Sequence, residues 1–287
     1  MFFIQILVTG FSLGITYGII AIGFGLIVTT TRIFHIAHSA TFLTGGYLLF
    51  ILVRLLNVPL YLSVFIALVG SAILGLAVDK AIYMPIRRRG GGMFTAFIAS
   101  MGVSLVFEAI YLISFYGIPS VARVHTLTSF TLGTIKLRWI DVTFGVIGSF
   151  VYFCLYIWLY RTNKGLRVRG LADNASLGSI YFDAAQIRNR VFIVGSVLAG
   201  LGGMITAYDS GITPIQGMDA LFVSIVALIV GGMGNVVLGT LVGGMVLGVV
   251  KVLSSYFFPK WFHFFVFSTL VLSVVIRPAG LVGRPKG

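Results

Sequence analysis

The amino-acid sequence predicts an all-α polytopic membrane protein, one transmembrane domain over residues 1–287 with about eight crossing segments, one of them broken. Three observations predict it. Hydrophobic residues make up 59% of the chain and charged residues 9%, too little polar surface to keep a soluble globule dispersed. Seven apolar runs approach or exceed the roughly 20 residues that a bilayer crossing needs. The longest remaining run, Met218 to Leu253, is interrupted by Gly231-Gly232-Met233-Gly234-Asn235, a cluster of helix breakers placed where lipid tolerates none.

The seven clear spans are Phe2–Thr29, His35–Leu55, Leu60–Tyr83, Phe94–Tyr116, Ile140–Tyr160, Asn189–Tyr208 and Trp261–Ile276. The first lacks a basic n-region and is about twice as long as a signal h-region, so it reads as a first transmembrane helix. Basic residues choose the orientation. Arg87-Arg88-Arg89, the loop with Arg161, Lys164, Arg167, Arg169, Arg188 and Arg190, and the tail with Arg277, Arg284 and Lys286 all belong in the cytoplasm by the positive-inside rule. A single crossing by Met218–Leu253 would put the tail outside. A hairpin turning at Gly231–Asn235 keeps all three clusters inside and leaves the short N-terminus outside. Arg123, Lys136 and Arg138 in the outer loop, about 117–139, are the contrary signals. Around Leu132-Gly133-Thr134 that loop alternates as a small β-hairpin cap.

The net charge of +13 is distributed among loops between spans, where it sets topology; this argues against nucleic-acid binding. The single Cys154 cannot form an intrachain disulfide and reads as a packed helix residue. The sequence carries no Walker A, HExxH, GxSxG or paired-cysteine motif, so enzyme chemistry, a metal centre and a bound cofactor are not expected, and any energy source is another polypeptide or an ion gradient.

Gly10, Gly14 and Gly18 in the first span, and Gly195, Ala199, Gly203 and Ala207 in the sixth, recur every four residues and give each helix one smooth face for tight contact. A break at membrane depth predicts a lined cavity, because backbone groups there must bond within a helix or face protein or water. Gly231, Gly232, Gly234 and Asn235 are therefore candidates for a translocation pathway. His35 and His38, three residues apart on one helical face, are structural histidines or pathway groups; with Ser39 and Thr41 they form a second pathway candidate. No third ligand is near them for a metal. Glu108 is read as the one carboxylate deep inside a span, either bonded between helices or facing a pathway; a fixed anion repels a carboxylate solute, which favours the bond. Asp209 and Asp219 read as solvated loop residues near the outer surface.

The cytoplasmic loop, about 161–188, is long for a helix connection. Asp173 or Asn174 can cap a short helix with Leu177, Ile180, Tyr181 and Ala184 on one face, suited to lipid or to a soluble partner, and Asp183 with Gln186 opens the next span.

Several separated motifs, in order, resemble the H-type (LivH) permease subunits of ATP-binding-cassette importers for branched-chain amino acids. They are Gly10-Phe11-Ser12-Leu13-Gly14 with Tyr17-Gly18-Ile19-Ile20-Ala21-Ile22-Gly23, Tyr83-Met84-Pro85-Ile86-Arg87, the stretch from Gly165 to Asn174, Pro214-Ile215-Gln216-Gly217, the glycine cluster, and Arg277-Pro278-Ala279-Gly280-Leu281-Val282-Gly283-Arg284. The resemblance implies a bacterial or archaeal plasma membrane, a second permease chain, identical or related, two cytoplasmic ATPase subunits, and an extracytoplasmic binding protein that delivers substrate. It further implies that Arg167, Arg169, Asp173, Leu177, Gly178 and Ile180 contact the ATPases. The family's usual Asn-Phe-Ala-His-Gly-Glu segment here reads His35-Ile36-Ala37-His38-Ser39-Ala40. That departure keeps urea, short-chain amides and other small carboxylates open as substrates, and an ion-coupled secondary transporter is the remaining transport alternative.

Overall fold

The computed structural model describes residues 2–116, 118, 129–132, 135–174, 178 and 181–283. Eleven α-helices are described: α1 Phe2–Thr31, α2 His38–Phe50, α3 Leu60–Val78, α4 Met84–Arg88, α5 Met93–Phe115, α6 Trp139–Arg161, α7 Asn163–Asp173, α8 Ala184–Asp209, α9 Gln216–Gly231, α10 Val236–Phe257 and α11 Phe262–Ile276. One π-helical turn, Ile51–Leu55, extends α2; a second, Asp79–Tyr83, joins α3 to α4. Eight of the resulting helical segments are long and apolar enough to cross a membrane, and the chain is a multi-pass membrane protein. The short α9 has 16 residues, about 24 Å at 1.5 Å per residue. It falls short of a full crossing, which makes α9 and α10 the broken pair expected around Gly231–Asn235.

The chain forms two compact units, one from Met1–Gly25, His125–Leu155 and Phe222–Gly287, the other from Leu26–Val124 and Tyr156–Leu221. In the first, the glycine face of α1 lies on α10. A methyl group on Gly10 would strike the backbone of Val249, and one on Gly14 would strike Gly244 and Met245, so only glycine permits this approach. Val223, Val226, Ala227 and Val230 of α9 pack with Ala21, Leu247, Phe262 and Val266 in the unit's core. Lys251, within α10, places its ammonium 3.8 Å from the Phe262 ring centroid, a cation–π contact for a charge in an apolar helix. Strands β1 Ser129–Leu132 and β2 Ile135–Arg138 pair antiparallel with Leu132 opposite Ile135, the expected hairpin; its turn, Gly133-Thr134, lies outside the described residues. Arg138, one of the contrary outer charges, is neutralised by a two-pronged contact with Asp141 at 2.6 and 2.9 Å.

In the second unit α2 is the centre, buried along its length except at Leu48 and packed on α3, α5 and α8. Small residues make this possible: Gly45 meets Gly200 backbone to backbone, and Gly46 meets Gly203. The surrounding helices are polar inside and apolar outside. The buried residues of α3 include Ser63, Ala67, Ser71 and Gly75, four apart, while Tyr61, Phe65 and Ile73 are exposed. On α5 the buried residues are Ala96, Ser100 and Ser104, while Ile98, Leu105 and Ile113 are exposed. Lipid solvates the large apolar side chains, so tight contact and hydrogen bonding select small and hydroxylated ones inside.

Five readings of the sequence are corrected. The second helix begins at His38, leaving His35 in the connecting segment, and the sixth span begins at Ala184 instead of Asn189, at the expected cap, where Asp183 accepts from the amides of Ala185 and Gln186. Cys154 is exposed on α6. Glu108 is half-buried and has no hydrogen bond or ion pair among the described residues, so it is not a buried bond between helices. Asp209 ends α8 and Asp219 lies in the first turn of α9, both half-buried instead of free in a loop.

Candidate functional site

The segment 32–41 carries the densest buried polar network of the second unit. His35, His38, Ser39 and Thr41 are all essentially inaccessible to solvent. The His35 Nδ1 lies 2.7 Å from the Tyr83 hydroxyl, which donates to the Ser100 hydroxyl at 2.7 Å. Tyr83 has one proton to give, so the His35 Nδ1 carries the hydrogen and donates to it. Ser100 also accepts from the amide of Ala37 at 2.8 Å and thereby satisfies the start of α2, where the N-cap residue Ala37 has no side chain to do so. Ser39 donates to the carbonyl of Ile36 and contacts the Ser104 hydroxyl, and Thr41 donates to the carbonyl of His38 at 2.7 Å. The His35 ring meets those of His38, Tyr83 and Phe192 edge to face, and Tyr83 and Phe192 are tilted against each other. It is built from hydroxyls, imidazoles and amides with no carboxylate of its own, and no cluster of metal-ligating side chains occurs among the described residues.

At the other pathway candidate, in the first unit, the break is closed by the C-terminal segment. The carbonyls of Val230 and Gly231, left without helical partners, accept from the amides of Leu281 at 2.9 Å and Val282 at 3.0 Å. Gly232 has φ +105°, a left-handed conformation reserved for glycine, and lies against Ala279 and Gly280. The Asn235 side chain accepts from the amide of Leu238 at 3.1 Å and caps α10, and Gly234 is exposed with open space around it. Of the two ways to satisfy a broken membrane helix, protein is the one used at Val230 and Gly231.

The family model for the permease component of branched-chain amino acid transport systems matches residues 6–274. The chain belongs to this family. Its relatives include the high-affinity branched-chain amino acid transport system permease protein BraD of Pseudomonas aeruginosa, 25% identical over 99% of this chain and 97% of that protein. The corresponding LivH of Escherichia coli is 23% identical over 100% and 97%. A probable branched-chain amino acid transport permease LivH of Methanocaldococcus jannaschii is 28% identical over 94% and 87%. Among solved structures, PsaBC from Streptococcus pneumoniae in complex with a Fab has the same fold, with a TM-score of 0.52 at 11% identity, covering 94% of this chain and 91% of that one.

In this permease the long loop carries a helix that the sequence reading did not expect. Asn163–Asp173 is itself the helix, capped by the Thr162 hydroxyl, which accepts from the amide of Gly165. Asp173 ends that helix and Asn174 is its C-cap; the Asn174 carbonyl in turn accepts from the amide of Gly178 at 2.8 Å, and most of the short helix expected after it lies outside the described residues. Gly165, Val168 and Leu171 form the buried face of α7, while Lys164, Leu166, Arg167 and Asp173 are exposed. Arg169 donates to the carbonyl of Leu159 and lies over the Tyr160 ring, and Arg167 lies 5.9 Å from the Phe182 ring centroid. Gly178 is buried against Leu171 and Gly170. Leu177 and Ile180 lie outside the described residues.

Three features of the permease escaped the sequence reading. Asp79, also within a predicted span, is buried and paired with Arg87 at 2.7 Å. Eight residues apart, the two would be about 80° out of register on an ordinary helix; the π-helical turn adds one residue and brings them onto one face. Pro85, which lacks an amide and crowds the preceding turn, is the cue for that turn. Tyr83, Ser100 and Ser104 complete the network around His35, and only the alignment of three helices reveals them. Arg32, in the left-handed region at φ +57°, donates to the carbonyl of Ala172 at 2.8 Å and so ties the segment before His35 to the end of α7.

Proposed function

We propose that this chain is the membrane-spanning half of an ATP-driven importer that passes branched-chain amino acids, delivered by an extracytoplasmic binding protein, across the plasma membrane. The full-length match to permeases named for that transport supports the substrate class. A second permease chain completes the passage, and two cytoplasmic ATPase subunits dock on the loop 161–188. His35, His38, Ser39 and Thr41 serve the passage, and α7 with Gly178 and the neighbouring Leu177 and Ile180 receives the ATPase stroke.

One observation carries this reading: the hydrogen bond from Arg32 to the carbonyl of Ala172 joins the docking helix to the segment that leads into the His35 network. A displacement of α7 is thus transmitted over four residues to a cluster of neutral polar groups. Such groups lower the cost of desolvating a polar solute without holding it, as a passage requires.

The test is uptake into proteoliposomes holding the assembled complex, with radiolabelled leucine, isoleucine and valine competed against urea and acetamide. ATP-dependent accumulation of the three amino acids, lost in Arg32→Ala while basal ATP hydrolysis persists, is the expected result. Accumulation of urea or acetamide in their place would establish the second reading, which the departure at His35–Ala40 favours. Uptake unchanged in Arg32→Ala would break the proposed linkage.

A further inference from the structure

A cleft of about 630 Å3 opens in the second unit between the end of the third span and the start of α8, lined by Asp79, Lys80, Met84, Arg87, Arg88, Ala185, Arg188 and Asn189. Four of these residues are cations and one is a carboxylate, so the lining carries a net charge of plus three. The single carboxylate is already engaged, since Asp79 accepts from the Nη2 of Arg87. Two further guanidinium nitrogens, Nη1 of Arg87 and Nε of Arg188, are shielded from solvent and have no hydrogen-bond partner among the described residues. Shielded donors of like charge beside one another are unfavourable unless an anion satisfies them.

The position of the cleft selects the anion. It lies where a 29-residue span, Leu60–Arg88, ends in the basic triplet Arg87-Arg88-Arg89, and where the α8 span begins. Excess arginine at span ends marks the cytoplasmic side, at the depth of the lipid headgroups. Met84 and Ala185 give the cleft an apolar wall, and Phe65 and Ile73 on α3 present exposed apolar side chains along the same span. Guanidinium groups match phosphate oxygens in a two-pronged geometry, and basic pockets between membrane helices hold anionic headgroups.

We propose that this cleft binds the phosphate of an anionic phospholipid of the cytoplasmic leaflet, with Arg87, Arg88 and Arg188 as its ligands. The site is separate from the His35 network and independent of the transported substrate. A lipid there would lock the end of the third span to the first turns of α8, the helix that follows the docking loop.

The experiment is thermal denaturation of the purified full-length chain in mixed micelles, titrated with phosphatidylglycerol, with phosphatidylcholine, or with inorganic phosphate. Phosphatidylglycerol should raise the melting temperature saturably, and the other two should not. Arg88→Gln with Arg188→Gln should raise the half-saturating lipid concentration by roughly tenfold or more, as expected for lost charge-assisted hydrogen bonds. Arg89→Gln, which removes the same charge beside the cleft, should leave it unchanged. Arg88 is exposed, so Arg88→Gln alone gives a folded protein for the titration should the double variant be unstable, and Arg88→Lys should restore part of the response. An unchanged lipid response in Arg88→Gln and in the double variant would overturn the proposal. Equal protection by inorganic phosphate would overturn the lipid assignment. Loss of ATPase subunits from the double-variant complex, with lipid binding intact, would instead make the cleft a protein contact and overturn it.

Discussion

The amide of Val282 donates to the carbonyl of Gly231 at 3.0 Å, which fixes the C-terminal segment to the break between α9 and α10. The break and the described C-terminal segment, residues 277–283, therefore lie on the same side of the first unit, as a hairpin topology requires. Cysteine labelling in a Cys154→Ser background tests it. A thiol at Ser255 should react with impermeant reagent in intact cells, and one at Lys286 only after permeabilisation. Labelling at Lys286 in intact cells would refute the hairpin.

Gly232, with φ +105° and a methyl's space already taken by the Ala279 carbonyl, should not accept alanine. Gly232→Ala is expected to cost about 1–3 kcal/mol from backbone strain alone. Gly234→Ala, with nothing near the added methyl, should be close to neutral. Thermal denaturation of the two purified variants checks the contrast.

Asp79 is 3% exposed at its side chain and holds Arg87, so removing it strands a part-buried charge. Asp79→Ala should lose about 1–3 kcal/mol and part of its yield, whereas Asp79→Leu combined with Arg87→Met should recover most of it. Equal yields from the single and double variants would show that the pair is not coupled.

The spans and the small-residue faces could be read from the sequence because each is a local repeat: Gly10, Gly14 and Gly18 need only a count of four. The Asp79–Arg87 pair could not, because its register depends on a π-helical turn that an ordinary helical period misses. Glu108 was misjudged for a related reason. A lone carboxylate in an apolar run announces its cost but not whether a neighbouring helix offers it a partner: Glu108 continues the four-residue repeat of Ala96, Ser100 and Ser104, yet it is half-buried with no hydrogen bond or ion pair among the described residues. The helix Asn163–Asp173 has no apolar repeat to announce it, and the need for Gly165, where it touches the carbonyls of Trp158 and Leu159, shows only in the fold. The network at His35 was half legible. Its histidines stand out in the sequence, while its hydroxyl partners come from other helices.

The docking assignment predicts that Leu177→Asp with Ile180→Asp, or Leu166→Asp on the exposed face of α7, releases the ATPase subunits from the membrane complex. Pull-down and substrate-stimulated ATP hydrolysis should both be lost. Survival of both would move the ATPase contact elsewhere.

The account stands on the segment from His35 to Thr41 serving the passage, and His38→Leu tests that most directly. The measurement is ATP-driven leucine uptake by proteoliposomes holding the assembled variant complex, with assembly checked by copurification of all subunits. The account predicts normal assembly with uptake reduced roughly tenfold or more, as expected when a polar solute meets an apolar side chain in place of a hydrogen-bonding group. Full uptake by an assembled His38→Leu complex would contradict it and place the passage away from this segment.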